Sequence, residues 1–323
     1  AYVDGAVPPA AFTFQADGGF VARGTLGSGA LPVAGTGPAL AWYSGKSALR
    51  AGWPLSVVPD DYGVGSTAFG QLTVASGQGS VAFGSESSAR GNYSLAGGDG
   101  TEATGFSALA MGNSARALGY AAVALGLHVS ACGSGSVALG QYAATSSAPV
   151  FGTPCTGTLH GGAFTFSGKA LAGSDTIFGT AADSEFAVRA QGGVRLRTNQ
   201  TASTGCNLAA GSGVWTCTSD RNQKQDFETV DGDEVLTKLA AMPIDRWSYK
   251  SEPGVRHIGP TAQDFRAAFG LGVDDTSIGH VDLSGISLRA IQTLDERTRP
   301  LLDEIARLRA DLDELRRMLA RER

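Results

Sequence analysis

Val123-Ala124-Leu125-Gly126-Leu127-His128-Val129-Ser130-Ala131-Cys132-Gly133-Ser134-Gly135-Ser136-Val137-Ala138-Leu139-Gly140 contains the rule that decides the fold. Glycine recurs at 126, 133 and 140, and alanine stands two places before each. The grid extends outward to Gly70 through Gly77, Gly84, Gly91, Gly98, Gly105, Gly112 and Gly119, with partners from Ala68 to Ala138 and no miss. A fixed short period denotes a stacked repeat, in which each unit buries its face against its neighbours. Such a stack is first a rod or a surface, and only secondarily a catalyst.

Alternate heptads differ in character. Val81-Ala82-Phe83-Gly84 and Leu109-Ala110-Met111-Gly112 are apolar, whereas Ser88-Ala89-Arg90-Gly91 and Arg116-Ala117-Leu118-Gly119 are more polar. The structural unit is therefore about 14 residues, with one buried and one more exposed strand, each of period two. The glycines are expected to supply a positive-φ corner at every turn. A helical heptad is excluded, because each glycine would cost it about 1 kcal/mol. The expected fold is a β-solenoid or β-roll. Its pure alanine strip is expected to face something very close, such as an identical rod.

The composition breaks near Cys217. Residues 1–218 hold 19 of the 55 charged residues and 39 of the 46 glycines. The expected order is an N-terminal β-rich cap over 1–64, the roll over 65–147, a β-rich neck or shaft over 148–218 and an α/β domain over 219–323. In the last, Glu234–Ala241 and Thr261–Phe269 read as helices and Asp245–Tyr249 as a strand. From 287 to 323 a long helix carries Leu301, Ile305, Leu308, Leu312, Leu315 and Leu319, stepping by 4, 3, 4, 3 and 4 as in a coiled coil. Pro300 is expected to interrupt or kink its start.

Bulk properties exclude some functions. A net charge of −5 argues against a nucleic-acid partner. No apolar run approaches a membrane span, so no membrane insertion is expected. Ala1 is not an initiating Met, which predicts a processed or trimmed start. Cys206 and Cys217 flank a turn-rich stretch, where a disulfide would suit an extracytoplasmic setting. Cys132 reads as a simple core residue. No motif calls for a metal or cofactor, and Asp60-Asp61 and Asp274-Asp275 are weak cation candidates.

Gly65-Ser66-Thr67-Ala68-Phe69-Gly70 and Gly135-Ser136-Val137-Ala138-Leu139-Gly140 resemble the head repeats of YadA-like trimeric autotransporter adhesins. The resemblance implies a left-handed parallel β-roll of three chains, hence a homotrimer, and a cell-surface, matrix or glycan ligand. Such adhesins are anchored by a C-terminal membrane β-barrel; residues 219–323 are expected to be something else.

Ser219-Asp220-Arg221-Asn222-Gln223-Lys224, Arg256-His257-Ile258-Gly259-Pro260-Thr261-Ala262-Gln263-Asp264-Phe265, Val281-Asp282 and Ala290-Ile291-Gln292 resemble the peptidase S74 domain. That domain is the intramolecular chaperone of phage endosialidase tailspikes, tail fibres and some adhesin-like proteins. Leu283-Ser284-Gly285 replaces the family's Asp-Gly. The resemblance implies trimerisation, assistance to folding of the upstream β-fibre, and self-cleavage. It carries the nucleophile to Ser219 and the base to Lys224, a single-turnover Ser-Lys dyad. His257 would orient the site or stabilise the oxyanion. Asp220, Arg221, Asn222, Gly259 and Gln263 are supporting motif residues. The cut falls at Ser219, between Thr218 and Ser219 or between Ser219 and Asp220. A secreted or cell-surface fibre, or a phage tail fibre, is expected. A polysaccharide-cutting tailspike would need paired carboxylates, and the repeats offer only Glu86, Asp99 and Glu102. A binding fibre with an uncleaved chaperone cap is the other alternative.

Overall fold

The computed structural model describes residues 10–14, 16, 18–31, 37–53, 58–147, 155–168 and 177–321. Residues 1–9 of the expected cap, 148–154 and 169–176 of the expected shaft, and 322–323 of the terminal helix lie outside the described residues. The chain divides into two compact units, Ala1–Thr218 and Ser219–Arg323.

The first unit is a β-roll with two parallel walls. Five-residue strands such as Val81–Ser85, Leu95–Asp99 and Leu109–Asn113 form one wall. Two-residue strands such as Ser88–Ala89 and Glu102–Ala103 form the other. Register advances by 14 residues per coil, pairing Ala82 with Ala96, Ala96 with Ala110 and Ala110 with Ala124. The long-strand wall outruns the glycine grid. It begins with the hairpin Ala39–Tyr43 and Ala48–Trp53 and ends with Phe164–Ser167 and Phe186–Arg189.

The alanines face inward, not toward a neighbouring chain. Ala82, Ala89, Ala96, Ala103, Ala110, Ala117 and Ala124 are all 0% exposed in a single chain. The two walls of one chain approach so closely that no larger side chain fits between them, and this overturns the expectation that the strip faces a second rod. Among the buried hydroxyls beside it, Ser80 Oγ and Ser136 Oγ donate to the carbonyls of Gly77 and Gly133 at 2.7 Å, whereas Ser130 Oγ and Thr165 Oγ1 find no partner.

The corner also differs from expectation. Positive φ recurs two residues after each grid glycine, at Gly79, Gly100 and Gly135 and otherwise at Leu72, Glu86, Tyr93, Ser107, Ser114, Ala121, His128 and Tyr142, the last eight all between 50° and 60°. From Glu86 onward each such corner is braced by the coil before it, as Ser114 N donating to Asp99 O at 2.8 Å and His128 N to Asn113 O at 2.9 Å. That long-range bond offsets a left-handed penalty of roughly 1 kcal/mol per residue. The grid glycines answer a different need. A Cβ on Gly77 would lie 2.0 Å from Gly91 O, and one on Gly112 would lie 2.0 Å from Gly126 O. Only the second of these also has positive φ.

Alternation turns residues 67, 69 and their register mates outward. They form two apolar columns, Thr67-Val81-Leu95-Leu109-Val123-Val137 and Phe69-Phe83-Gly97-Met111-Leu125-Leu139. The Phe83 ring overlies Gly97 and fills the gap. The opposite wall presents Val74, Ser88, Glu102 and Arg116, the last two ion-paired at 2.7 Å.

Arginine plugs both ends of the roll. Arg50, 3% exposed, stands in the column of Ala68 and donates to Ser66 O, Asp61 O, Ala75 O and Ser66 Oγ at 2.8–3.2 Å. Burial pushes its guanidinium down to about 10 while Tyr62 and Asp61 oppose the shift. At the last coil Arg189 bonds Ser167 Oγ at 2.7 Å and lies over Phe178.

Cys132 is buried, as core residues are, but is also disulfide-bonded to Cys155, which revises its reading as a plain core thiol. A small antiparallel sheet closes the unit, Val194–Arg197, Gly205–Leu208 and Trp215–Cys217.

Among the described residues the second unit has three α-helices, α1 Gly232–Ala241, α2 Ala262–Phe269 and α3 His280–Arg321. Asp231 caps α1 through Asp233 N and Glu234 N, and Thr261 caps α2 through Asp264 N. Gly270, with φ 66°, ends α2. Val235, Met242, Phe265, Ile286 and Ala290 form the core, so only the start of α3 is packed. The helix begins seven residues before the expected 287, and Pro300 lies inside it. The seam from Leu301 to Leu319 stays 45–65% exposed.

Candidate functional site

The site forms where the small sheet ends. Thr218 N donates to Gly205 O at 2.9 Å, extending the ladder of Trp215–Cys217 by one residue. The chain then leaves the sheet and turns. Asp220 is extended (φ −68°, ψ 129°), and its carboxylate accepts from Asn222 N, capping the short 3-10 turn Arg221–Gln223. Asn222 Nδ2 adds a second bond to the same oxygen at 3.1 Å. Lys224 N donates to Arg221 O, closing the turn. The Arg221 guanidinium lies 4.4 Å from the Phe227 ring centroid.

This turn brings Lys224 back to Ser219. Lys224 Nζ donates to Ser219 Oγ at 2.7 Å, within the reach a base needs to take the hydroxyl proton. Both residues are exposed in one chain. A lysine acts as a base only as the neutral amine, which burial favours. The geometry of a Ser-Lys pair is therefore local, whereas its desolvation is not supplied by the single chain.

His257 is placed elsewhere in this unit. It lies in the strand His257–Gly259, paired antiparallel with Asp245–Trp247. Its ring stacks on Trp247 at 4.8 Å and meets Tyr249 edge-on, and its Nε2 is buried without a hydrogen-bond partner. Gly259 O accepts from Trp247 Nε1 at 3.2 Å, and Gln263 is exposed on α2. A cleft of about 610 Å³ opens beside this cluster, lined by Trp247 and Tyr249 with Asp245 and Thr261.

Other candidates have structural duties. Asp274 Oδ1 accepts from the backbone and hydroxyl groups of Thr276 and Ser277, and these bonds hold its carboxyl down at about 2. Asp99 accepts from Asn113, and Glu102 from Arg116. Among the described residues no group of three or more His, Cys, Asp or Glu is arranged to hold a metal ion. No helix among the described residues is long and apolar enough to cross a membrane.

Sequence reading placed the cut beside Thr218 but missed the hydrogen bonds that hold it, and it missed the Cys132–Cys155 bond. Thr218 Oγ1 donates to Gly205 O at 3.1 Å and to Ser203 O at 3.3 Å, contacts that hairpin register reveals and composition does not. The Cys206–Cys217 disulfide joins register-paired residues directly before it, with Cα atoms 4.0 Å apart.

A search of curated proteins finds no match to this chain. Family comparison matches residues 219–273 to Peptidase_S74, the chaperone of endosialidase. It matches residues 62–87, 75–101 and 103–128 to the YadA head domain repeat. The family first matched implies, at a coarse level, an autoproteolytic chaperone activity, and the repeats suggest trimeric assembly and an extracellular or surface fibre. The chain thus sets head repeats similar to those of YadA ahead of a segment similar to the endosialidase chaperone, an order that supports a trimeric adhesin- or tail-fibre-like protein with a chaperone domain.

Proposed function

We propose that residues 219–323 form a chaperone that trimerises, assists the β-fibre and then cuts the chain once at Thr218–Ser219. The observation that carries this is the 2.7 Å contact between Lys224 Nζ and Ser219 Oγ at the junction of the two compact units. Lys224, as the neutral amine, takes the hydroxyl proton as Ser219 Oγ attacks the Thr218 carbonyl carbon. The C–N bond breaks, the proton passes to the departing Ser219 nitrogen, and Thr218 is left as an ester on Ser219 Oγ. Water then hydrolyses the ester, giving a Thr218 carboxylate and restoring the serine hydroxyl. The Asp220-Arg221-Asn222 turn holds Lys224 in place, and His257, apart from the pair in one chain, orients the site or stabilises the oxyanion once the chains assemble. The reaction consumes its own substrate, so each chain turns over once.

Assembly supplies the missing burial. In one chain the outward apolar columns of the long-strand wall are only half-buried and the α3 seam is exposed, which fits packing of each against its counterparts in other copies. The roll is then the part of the homotrimer that meets a cell-surface, matrix or glycan ligand. Intact mass and non-boiled gel mobility test the reading. The wild-type chain falls into two pieces at Ser219 and the Ser219→Ala variant stays whole. A wild-type chain that stays whole and trimeric leaves the domain as a permanent cap and overturns the enzyme reading.

A further inference from the structure

The dyad accounts for the nucleophile and the base but not for the carbonyl they act on. We infer that the Cys206–Cys217 disulfide and the Thr218 hydroxyl position the scissile carbonyl, so that self-cleavage depends on the oxidation state of this cysteine pair. The inference rests on the cleavage reading above.

Three observations carry it. First, the disulfide joins register partners on adjacent strands, and Cys217 is the residue before Thr218. Second, Thr218 is held from backbone and side chain at once, its N on Gly205 O at 2.9 Å and its Oγ1 on Gly205 O at 3.1 Å and Ser203 O at 3.3 Å. Third, no strand of this sheet contains a buried residue in one chain, and Trp215 is 47% and Leu196 56% exposed. A small sheet with no buried face has little but its ladder and cross-links to order it. The Ala209–Val214 connection, with Gly211 at φ 72°, adds no packing of its own.

The chemistry needs that order. Ser219 Oγ must approach the carbonyl carbon of the residue before it, and a modest loosening of that geometry lowers the rate steeply. With Thr218 fixed to Gly205 and Ser203, the torsions between Thr218 and Ser219 are the ones left to bring the hydroxyl onto the carbon. Dithiothreitol opens the clamp. Its two thiol hydrogens pass to the sulfurs of Cys206 and Cys217, and the reagent closes to its own cyclic disulfide. Cys132–Cys155 stands apart from this ladder, being anchored in the roll where Cys132 is 4% exposed.

The test is cell-free synthesis of the full chain under oxidised glutathione or under dithiothreitol, following cleavage by intact mass and assembly on non-boiled gels. Under oxidant the wild type and Cys132→Ser/Cys155→Ser cleave alike. Cys206→Ser/Cys217→Ser under oxidant, and the wild type under dithiothreitol, form trimer but cleave at least about tenfold more slowly. Thr218→Val slows cleavage with the disulfide intact, and Thr218→Ser restores it, which a merely structural role would not require. A Cys206→Ser/Cys217→Ser trimer that cleaves at the wild-type rate overturns this inference and leaves the dyad standing. If that variant fails to assemble, the Thr218→Val and Thr218→Ser pair decides, and equal rates for both overturn it. An oxidised wild-type trimer that never cleaves overturns the cleavage reading, and the clamp with it.

Discussion

Lys224 Nζ lies 2.7 Å from Ser219 Oγ, held there by a 3-10 turn that Asp220 caps. The contact spans five residues and needs no tertiary packing, so it forms wherever the turn forms. This separates two functions that one substitution can uncouple. Lys224→Ala is expected to abolish cleavage, a loss of at least about 10²-fold for a missing general base. It leaves the core of Val235, Phe265 and Ile286 untouched, so trimer and fold persist. Intact mass and a non-boiled gel read both outcomes in one sample. A Lys224→Ala chain that still cleaves at the wild-type rate removes lysine from the mechanism.

Asp220 makes the same argument from the turn. Asp220→Ala removes the acceptor for Asn222 N and Nδ2 and frees Lys224 from its register. Loss of such a cap costs about 1 kcal/mol of local order. The expected result is slower cleavage with unchanged trimer, and Asp220→Asn, which keeps a capping oxygen, recovers part of the rate. Time courses of cleavage by gel compare the three chains. Equal rates for all three would show that the turn forms without its cap.

The grid glycines and the corner residues predict opposite sensitivities. A Cβ on Gly112 meets Gly126 O at 2.0 Å, and neither atom belongs to a flexible side chain. Gly112→Ala is expected to destabilise the roll by about 3 kcal/mol or more. Ser114, two residues on, has φ 52° and its N–H donates to Asp99 O. Ser114→Gly relieves left-handed strain and raises unfolded-state entropy, which nearly cancel, so the change stays within about 1 kcal/mol. Thermal melts of the two variants decide the matter. Were Gly112→Ala the milder change, the coil-to-coil clash would not be what selects glycine.

The contrast shows what the sequence made legible. Period, parallel stacking and the 14-residue unit follow from the spacing of Ala82, Ala96 and Ala110, because identical residues one coil apart must lie in register. The corner did not follow, since Tyr93, Ala121 and His128 carry no turn signature and take positive φ where the previous coil supplies an acceptor. The alanine column was seen but assigned to the wrong neighbour, because spacing gives a close approach and not which backbone makes it. Ser219 and Lys224 came from the resemblance of Ser219–Lys224 to the chaperone family, since a serine and a lysine five apart are no signal alone; the contact between them is local. The Thr218 contacts with Ser203 and Gly205 were not, since they depend on how a hairpin pairs.

The proposed trimer would pack on the outward face of the long-strand wall. Leu125 stands between Met111 and Leu139 in one apolar column, while Val74 lies on the opposite wall. Leu125→Lys costs little in a lone chain, whose lysine can reach water. In a trimer it buries three like charges near one axis, which is strongly unfavourable. Light scattering after size exclusion should show Leu125→Lys as monomer and Val74→Lys as trimer. A trimeric Leu125→Lys would move the contact to another face.

Arg50 closes the N-terminal end of the alanine column, in register with Ala68. The acceptors around it are not all dependent on it, because Ser66 O also receives Leu49 N and Ala75 O also receives Gly63 N. Removing the guanidinium therefore leaves these carbonyls bonded, and the desolvation that pushes Arg50 down to about 10 is relieved at the same time. Arg50→Met, of similar length, is expected to cost only about 1 kcal/mol. Arg50→Lys keeps the buried charge but replaces a planar fork, bonded to Ser66, Asp61 and Ala75, with a compact ammonium that cannot reach all three. It also gives up the planar contact with the Tyr62 ring at 4.4 Å. Its expected cost is about 3 kcal/mol, so the apparently conservative change is the worse of the two. Chemical denaturation of the Ser219→Ala background, which keeps the chain whole, compares them directly. If lysine proves as stable as the wild type while methionine unfolds readily, the charge itself is what the end of the roll requires, and the fork geometry is incidental.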